Sequence, residues 1–355
     1  MIKIAIVGTG GIAHWHAKSY QNIDDVKIVA ACDINANVLK KFCDQYNIEE
    51  KYTSFEELIT NCEVNAISNA TPDPYHKEIA LKTLKHNKHI FSEKPLAENY
   101  PDALEMYNAT KNKKLINMVN FSYRNSSGYQ ELAKIVQSGK IGSVKHVEAS
   151  YMQGWLTCKY WGDWRQQDQW LWRLSTKHGS KGTLGDIGVH IFDFASFPIG
   201  KIKSINSRLK TFTDKGDKIG EYVLDANDTF ISLVEFENGA LGTISSTRFA
   251  TGLKNRLDLK IFCDKGAVRI SFDDPITEGS YFEMTTDTEK ETIELTDTLK
   301  WDKISTKPTP NNFERFITSI LTGKNDQPDF KRGSEIQKIL DSCAESSTKN
   351  SWIDI

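Results

Sequence analysis

Hydrophobic positions in the first third of the chain alternate between short β-branched runs and stretches with helical spacing. This alternation predicts a parallel sheet, because parallel strands need long crossover connections that are usually helices. We therefore expect an α/β domain at the start of the chain. Its predicted strands are residues 2–7, 26–32, 64–69, 88–92 and 115–121, and its predicted helices are residues 12–22, 35–46, 54–60, 75–86 and 100–112.

The pattern changes after residue 123. A predicted helix over 127–138 is followed by a predicted strand over 144–152, and long alternating runs dominate from residue 201 onward. One such run, 229–236, is separated from the next by Asn238-Gly239, a pair that indicates a hairpin because both residues tolerate positive φ. These features predict an α+β domain with a large, mostly antiparallel sheet.

Two domains follow from this change of pattern, and two further helices are predicted near the end of the chain, at 311–322 and 332–347. The domain prediction is 1–123 for the α/β domain and 124–355 for the α+β domain, to which we assign substrate binding and oligomerisation. A length of 355 residues agrees with about two domains.

Composition narrows the class of protein. The chain has 45 Lys and Arg against 47 Asp and Glu, a formal charge of −2. Nucleic-acid-binding proteins concentrate positive charge, so we expect no nucleic-acid partner. The six cysteines form no C-x-x-C pair and no cluster with zinc-ligand spacing, so we expect free thiols and no metal site. No run approaches the roughly 18 apolar residues of a membrane span, and no signal peptide is recognised, which together predict a cytoplasmic protein without a membrane partner.

A glycine-rich turn lies directly between the first predicted strand and helix. Residues 8–13 read G-T-G-G-I-A and fit the pattern G-x-G-x-x-A, in which Gly8 permits a tight turn and Gly10 lets the backbone approach a pyrophosphate. Asp33, 20 residues beyond Ala13, can accept hydrogen bonds from both ribose hydroxyls. This combination predicts a Rossmann domain that binds a dinucleotide.

Asp33 also favours NAD over NADP. Its carboxylate would repel a 2′-phosphate, and residues 34–37 supply no arginine to neutralise one. The alternative interpretation is that Asp33 only caps the following helix. His14 and His16, next to the glycine turn, are interpreted as surface or packing residues.

Three further motifs resemble those of the Gfo/Idh/MocA oxidoreductases, which include inositol dehydrogenase and glucose–fructose oxidoreductase. They are T-P-D-P-Y-H at 71–76, E-K-P at 93–95 and G-D-I-G-V-H-I-F-D at 185–193. The resemblance implies Lys94, Asp186 and His190 as catalytic residues and hydride transfer from an alcohol carbon to NAD. It also implies dimers or tetramers.

The chemistry of these three residues agrees with such roles. An ammonium at Lys94 can polarise a substrate oxygen, and His190 can accept a hydroxyl proton near neutral pH. Asp186, four residues before His190, would share its helix face and orient the substrate or tune that base. The alternatives are a solvated loop for Lys94 and a surface or core polar pair for Asp186 and His190.

The remaining candidates fall into two groups. The resemblance places the T-P-D-P-Y-H and E-K-P segments along the cofactor, and five tryptophans between residues 155 and 172 offer flat apolar faces suited to sugar rings. The alternative for each tryptophan is a packed loop or a subunit contact. The predicted cofactor-binding residues are Gly8, Thr9, Gly10, Gly11, Ile12, Asp33, Thr71, Pro72, His76, Glu93 and Lys94. The predicted substrate-binding residues are Tyr123, Arg124, Trp155, Trp172, Arg173, Asp186 and His190.

The sequence therefore predicts an NAD-dependent dehydrogenase that oxidises a secondary hydroxyl of a sugar, cyclitol or related polyol. One alternative is an NAD-assisted glycoside hydrolase, since some relatives use transient oxidation to eliminate a glycosidic substituent. Another is a non-catalytic NAD sensor, against which the presence of Lys94, Asp186 and His190 argues.

Overall fold

A computed structural model describes residues 1–212, 216–273, 281–286 and 300–355. The chain divides into two compact units, Met1–Phe121 with Pro310–Gln337 and Ser122–Thr309 with Lys338–Ile355. The first unit thus includes a late segment that the sequence analysis assigned to the second domain.

The first unit contains a six-stranded, fully parallel sheet with the strand order β3-β2-β1-β4-β5-β6. This order and the alternation of strands with helices are those of the predicted Rossmann domain. Its elements in the N-terminal segment are β1 (Ile2–Val7), α1 (Gly11–Gln21), β2 (Val26–Cys32), α2 (Ala36–Tyr46), β3 (Glu50–Tyr52), α3 (Phe55–Asn61), β4 (Ala66–Asn69), α4 (His76–Lys85), β5 (His89–Ser92), α5 (Tyr100–Thr110) and β6 (Asn117–Val119).

Polar side chains cap the helices of this sheet. The side chain of Asn35 accepts hydrogen bonds from the first turn of α2, and Ser54 accepts one from the Glu57 backbone N–H in α3. Asn99 caps α5, where Pro101 occupies the first turn and its missing N–H costs nothing.

Both faces of β1 are buried, as expected for the middle of a doubly wound sheet. Ile4 and Ile6 contribute to one core cluster, and Ala5 and Val7 contribute to the other. Phe313, from the late segment, belongs to the first cluster and stacks on Phe91 with ring centroids 4.7 Å apart. This aromatic packing explains why residues 310–337 join the first unit.

The second unit contains a nine-stranded sheet with the order β16-β15-β14-β13-β7-β12-β11-β8-β17. All neighbouring strands in it are antiparallel except β7 and β12, which are parallel. The elements from residue 127 onward are α6 (Ser127–Gln137), β7 (Val144–Gln153), α7 (Asp168–Leu171), α8 (Val189–Ser196), β8 (Ile202–Lys210), β9 (Lys218–Ile219), β10 (Tyr222–Val223), β11 (Thr229–Phe236), β12 (Leu241–Thr247), β13 (Asn255–Cys263), β14 (Gly266–Phe272), β15 (Tyr281–Thr285), β16 (Asp302–Ser305), α9 (Asn312–Thr322), α10 (Phe330–Lys349) and β17 (Ile353–Asp354).

The predicted hairpin joins β11 and β12, and Gly239 in its turn has a φ of +85°. Alternate residues of β11 face opposite ways: Phe230 and Val234 are buried, whereas Ile231 and Leu233 are 56% and 48% exposed. One face of the sheet therefore carries a core and the other presents apolar side chains to the surface.

Within the described ranges, no helix combines the length and the apolar character that a membrane crossing requires.

Candidate active site

The glycine turn between β1 and α1 has an open backbone surface. Gly8 has a φ of +82°, and a Cβ there would lie 2.7 Å from the carbonyl oxygen of Ala70, so only glycine fits. A Cβ built on Gly10 or Gly11 would meet nothing within 4 Å, so the outer side of the turn is clear. Ile12, the next residue of α1, is also exposed.

Asp33 braces this turn from the end of β2. Its Oδ2 accepts hydrogen bonds from the backbone N–H and the hydroxyl of Thr9, at 2.8 and 2.9 Å, and its Oδ1 accepts one from the Asn35 N–H at 2.8 Å. The N-cap of α2 is Asn35. The alternative interpretation, in which Asp33 serves only as the cap, is therefore wrong.

These residues fit a dinucleotide. The first turn of α1 has no acidic residue, and its N-cap Gly10 has no side chain to occupy the free N–H groups, which suits a pyrophosphate. Asp33 is half-buried beside the turn and keeps carboxylate lone pairs beyond those used by Thr9 and Asn35, which suits ribose hydroxyls.

Glu93 follows β5 and is almost completely buried. Its Oε1 accepts hydrogen bonds from His16 Nε2 at 2.9 Å and Asn120 Nδ2 at 2.6 Å, and its Oε2 accepts the Lys94 N–H at 3.2 Å. Burial alone raises the pKa of this carboxyl, but the bond and charge of His16, the bond from Asn120 and the charge of Lys94 outweigh it and lower the pKa to about 2. Glu93 is thus a buried carboxylate that is held in its ionised form by three protein donors.

Lys94 lies between this carboxylate and a cis peptide bond to Pro95, and its side chain is half-buried. His76 lies on the other side of the segment. Its Nδ1 is 2.7 Å from the Pro95 carbonyl oxygen and its Nε2 is 2.8 Å from the Thr71 carbonyl oxygen. The His76 ring is 0% exposed, so it joins two loops of the site rather than presenting a surface to a ligand. Pro72, in the first of these loops, is exposed.

In the second unit, Asp186 and His190 belong to consecutive turns. Residues Leu184–Gly188 form a π-helical turn, and α8 begins at Val189. The π turn replaces the regular α-helical spacing predicted from the sequence, and turns of this kind occur often at functional sites. Asp186 is half-buried, and His190 is 7% exposed.

Two tyrosines pack beside His190. The Tyr123 ring meets the His190 ring edge-on with centroids 4.7 Å apart, and the Tyr123 hydroxyl is hydrogen-bonded to the Tyr151 hydroxyl. Burial and the charge of Asp186 both raise the pKa of Tyr151 well above its ordinary value, which keeps that hydroxyl protonated. The proposed base is therefore held between aromatic rings.

Arg248 is a residue that the sequence analysis missed. Its guanidinium is 0% exposed and donates from Nη2 to Asp186 Oδ2 at 2.9 Å and from Nη1 to the Arg173 carbonyl oxygen at 2.9 Å. Burial lowers the pKa of Arg248, and the charge of Asp186 opposes that effect. The alternation of β12 contained the signal, because position 248 continues the inward-facing series of Ile244 and Ser246. An arginine at an inward position requires a buried partner.

Arg124 and Arg173, both predicted to bind substrate, have different surroundings. Arg124 is 1% exposed and donates from Nε and Nη2 to the two carboxylate oxygens of Asp193, each at 2.7 Å. Arg173 is half-buried, with its Nε 3.8 Å from Asp186 Oδ2 and its guanidinium over the Trp172 ring. Arg124 thus forms a buried structural ion pair, whereas Arg173 lies next to the candidate chemistry.

The tryptophans mainly form a small core of their own. Trp155 and Trp164 are buried together with Leu171 and Leu174, and the Trp155 N–H donates to Gln153. Trp172 differs from them because it is 37% exposed. Packing therefore accounts for Trp155, and Trp172 keeps a surface that a ligand can reach.

Comparison with known proteins identifies the family of this chain. Residues 2–121 match the family model described as an oxidoreductase family with an NAD-binding Rossmann fold, and residues 129–269 match the GFO/IDH/MocA C-terminal domain. The chain belongs to the Gfo/Idh/MocA family. Membership confirms the predicted fold, the use of NAD and the oxidoreductase class.

Among members of the Gfo/Idh/MocA family, this chain is 23% identical to levoglucosan dehydrogenase of Pseudarthrobacter phenanthrenivorans, over 100% of this chain and 98% of that protein. It is 26% identical to myo-inositol 2-dehydrogenase of Thermotoga maritima, over 75% and 74% of the two chains. A solved levoglucosan dehydrogenase complex with NADH and levoglucosan superposes with a TM-score of 0.86 at 23% identity, covering 100% of this chain and 99% of that one.

Proposed function

We propose that this protein oxidises a secondary hydroxyl of a sugar, cyclitol or related polyol, with NAD as the acceptor. The observation that carries the proposal is the presence of Lys94, Asp186 and His190 in a chain whose Asp33-braced glycine turn fits NAD. Relatives named for levoglucosan and myo-inositol oxidation support the substrate class.

NAD, when bound, accepts the hydride that leaves the alcohol carbon. The other steps belong to the protein. An imidazole nitrogen of His190 takes the hydroxyl proton, and the Lys94 ammonium stabilises the negative charge that develops on the oxygen. Asp186, held by Arg248, accepts a hydrogen bond from a substrate hydroxyl and so orients the ring. The carboxylate of Asp33 selects NAD over NADP.

Trp172 and Arg173 complete the proposed substrate surface. The exposed Trp172 ring suits the apolar face of a sugar, and Arg173 next to Asp186 suits its hydroxyl edge. Tyr123 packs against the His190 ring and fixes its position. Arg124, through its ion pair with Asp193, and Trp155, through its core contacts, support the site without touching the substrate.

We further propose that the protein forms homodimers or homotetramers through the open face of its nine-stranded sheet. Ile231, Leu233 and Leu241 lie on adjacent strands of that face and are 56%, 48% and 56% exposed. Their grouping supports a contact between copies. The six free cysteines support a reducing compartment, the cytoplasm.

A substrate panel tests this function. Purified protein is incubated with NAD and with levoglucosan, myo-inositol or related polyols and sugars, and NADH is followed by its absorbance. We expect turnover with at least one ring polyol and much less with NADP. Hydrolysis of an aryl glycoside without net NADH would favour the glycoside hydrolase alternative, to which the relatives named above give no support. Binding of NADH with neither reaction would favour a sensor.

A further inference from the structure

Residues 93–95 of the first unit form the Lys94 segment, and two buried histidines lie on either side of it. His16 is on α1 and His76 is the first residue of α4, and each side chain is 0% exposed. Neither ring is available to a ligand. Each instead contacts a residue next to Lys94, namely Glu93 on one side and Pro95 on the other.

His16 is the centre of a chain of hydrogen bonds. Its Nδ1 is 2.8 Å from the Ser68 hydroxyl, which also accepts a bond from the Tyr20 hydroxyl at 3.2 Å. Its Nε2 donates to Glu93, whose second oxygen accepts the Lys94 N–H. Because α1 begins directly after the glycine turn and carries His16, this chain of hydrogen bonds connects the helix that follows the turn to the backbone of Lys94.

His76 holds the other side of the segment by a different atom. The ring nitrogen that faces the Lys94 segment is Nδ1, opposite the Pro95 carbonyl oxygen, while Nε2 faces Thr71. In His16 the relation is reversed, since Nε2 faces Glu93 and Nδ1 faces Ser68. A buried acceptor that loses its donor pays the full cost of desolvation, so each contact restrains the segment.

We propose that His16 and His76 are positioning residues that fix Lys94, His16 through the carboxylate of Glu93 and His76 through the carbonyl of Pro95. The inference rests on the proposed function for the catalytic role of Lys94. The restraint itself is a property of the first unit alone and requires no substrate.

The reversed geometry allows a crossed set of variants. Asparagine places an amide nitrogen near the position of Nδ1, and glutamine places one near Nε2. The proposal requires a proton on Nδ1 of His76, which faces the Pro95 carbonyl oxygen. His16→Gln and His76→Asn then keep the donor that faces the Lys94 segment, and His16→Asn and His76→Gln lose it. Tyr20→Phe is the matched control, because it removes only the far end of the chain of bonds.

Hydrogen exchange of a peptide covering Lys94, measured by mass spectrometry without cofactor, is the primary readout. We expect exchange about tenfold faster in His16→Asn and His76→Gln, and close to wild type in His16→Gln, His76→Asn and Tyr20→Phe. A peptide from β2 should exchange alike in all five variants. An effect that follows side-chain length, with both Asn or both Gln variants worse, would overturn the proposal, as would no difference at all.

Turnover provides a second, separate readout. The two variants that lose the donor should show lower kcat with KM and NADH binding little changed, because Lys94 serves the chemical step. Equal kcat in all four histidine variants would contradict the positioning role. If wild-type protein oxidises no sugar or polyol, the proposed function fails. The hydrogen-exchange rates of the four histidine variants still decide whether the histidines hold the segment.

Discussion

Arg248 donates a 2.9 Å hydrogen bond to Asp186 from a fully buried position. The same guanidinium holds the carbonyl oxygen of Arg173, so one side chain joins the π-helical turn to the segment that carries Trp172 and Arg173. Two proposed site residues therefore depend on an arginine that occurs in none of the recognised motifs.

Replacing Arg248 with leucine leaves Asp186 without this partner. We expect the free energy of unfolding to fall by about 2–3 kcal/mol, below the full cost of breaking a buried pair because Asp186 is partly exposed. We also expect kcat to fall at least tenfold, since Asp186 loses its orientation. Urea denaturation and turnover measure both effects. Arg256→Leu, which removes a more exposed pair with Asp258, should cost under about 1 kcal/mol, and an equal cost for both would refute the role of Arg248.

Replacing Lys94 or His190 with alanine should lower kcat by about 10²–10⁴, the range usual for a lost acid–base group. Both variants should still bind NADH, because neither side chain belongs to the glycine turn. Fluorescence titration with NADH and steady-state kinetics separate the two effects. The exposed Lys114→Ala is the control, and unchanged turnover in either site variant would remove that residue from the catalytic set.

Asp33→Ala should weaken NAD binding by about tenfold or more and reduce the preference over NADP. The carboxylate braces Thr9 and is available to ribose, so its loss affects both the turn and the ligand. Thr9→Val removes only the hydroxyl contact and should have the smaller effect. Dissociation constants for both cofactors provide the test. An unaltered ratio in Asp33→Ala would show that cofactor selection lies elsewhere.

Glu93 should make stability depend on pH in a defined window. Its pKa in the folded protein is about 2, below the ordinary value of 4.5 for a glutamate, so its contribution is complete above about pH 4.5 and is lost as the pH falls toward 2. The loss should be about 2 kcal/mol by pH 3 and about 3 kcal/mol below pH 2. Glu93→Gln should lack this part of the acid destabilisation while being less stable at pH 7. Urea denaturation between pH 5.5 and 3 measures the difference, and parallel curves for the two proteins would contradict the assignment.

Leu233→Asp places a charge on the open face of the nine-stranded sheet. If that face joins copies of the chain, light scattering should give a smaller molar mass for the variant than for the wild-type protein, while the variant keeps its fold. Leu321→Asp is the control, because Leu321 is 63% exposed on α9, which belongs to the first unit and not to this sheet. An unchanged assembly in Leu233→Asp would exclude this face as the contact.

Most helices and strands of this fold could be predicted from local sequence patterns, because each element depends mainly on residues close to it in the chain. The glycine turn, the Asn-Gly hairpin and the parallel α/β alternation follow from conformational preference and hydrophobic period, and the structure confirms them. The place of residues 310–337 could not be predicted, since it depends on Phe313 stacking against Phe91 across more than 200 positions.

The candidate site divides in the same way. Asp33 and Lys94 stand in recognisable motifs, and the sequence was enough to select them. From the sequence, His16 is interpreted as a surface or packing residue and Arg248 is not selected, because their partners Glu93 and Asp186 are distant in the chain. Trp155, a residue type suited to sugars, lies in a core, which is the alternative that the sequence leaves open for each tryptophan.

The aromatic contribution of Phe313 and Phe316 to the first unit has a consequence for synthesis on the ribosome. Nearly nine-tenths of the chain must emerge before these two rings can cover Phe91. The nascent nucleotide-binding unit therefore carries an uncovered hydrophobic surface throughout translation of residues 122–309, and its last core residues arrive only with the segment that follows.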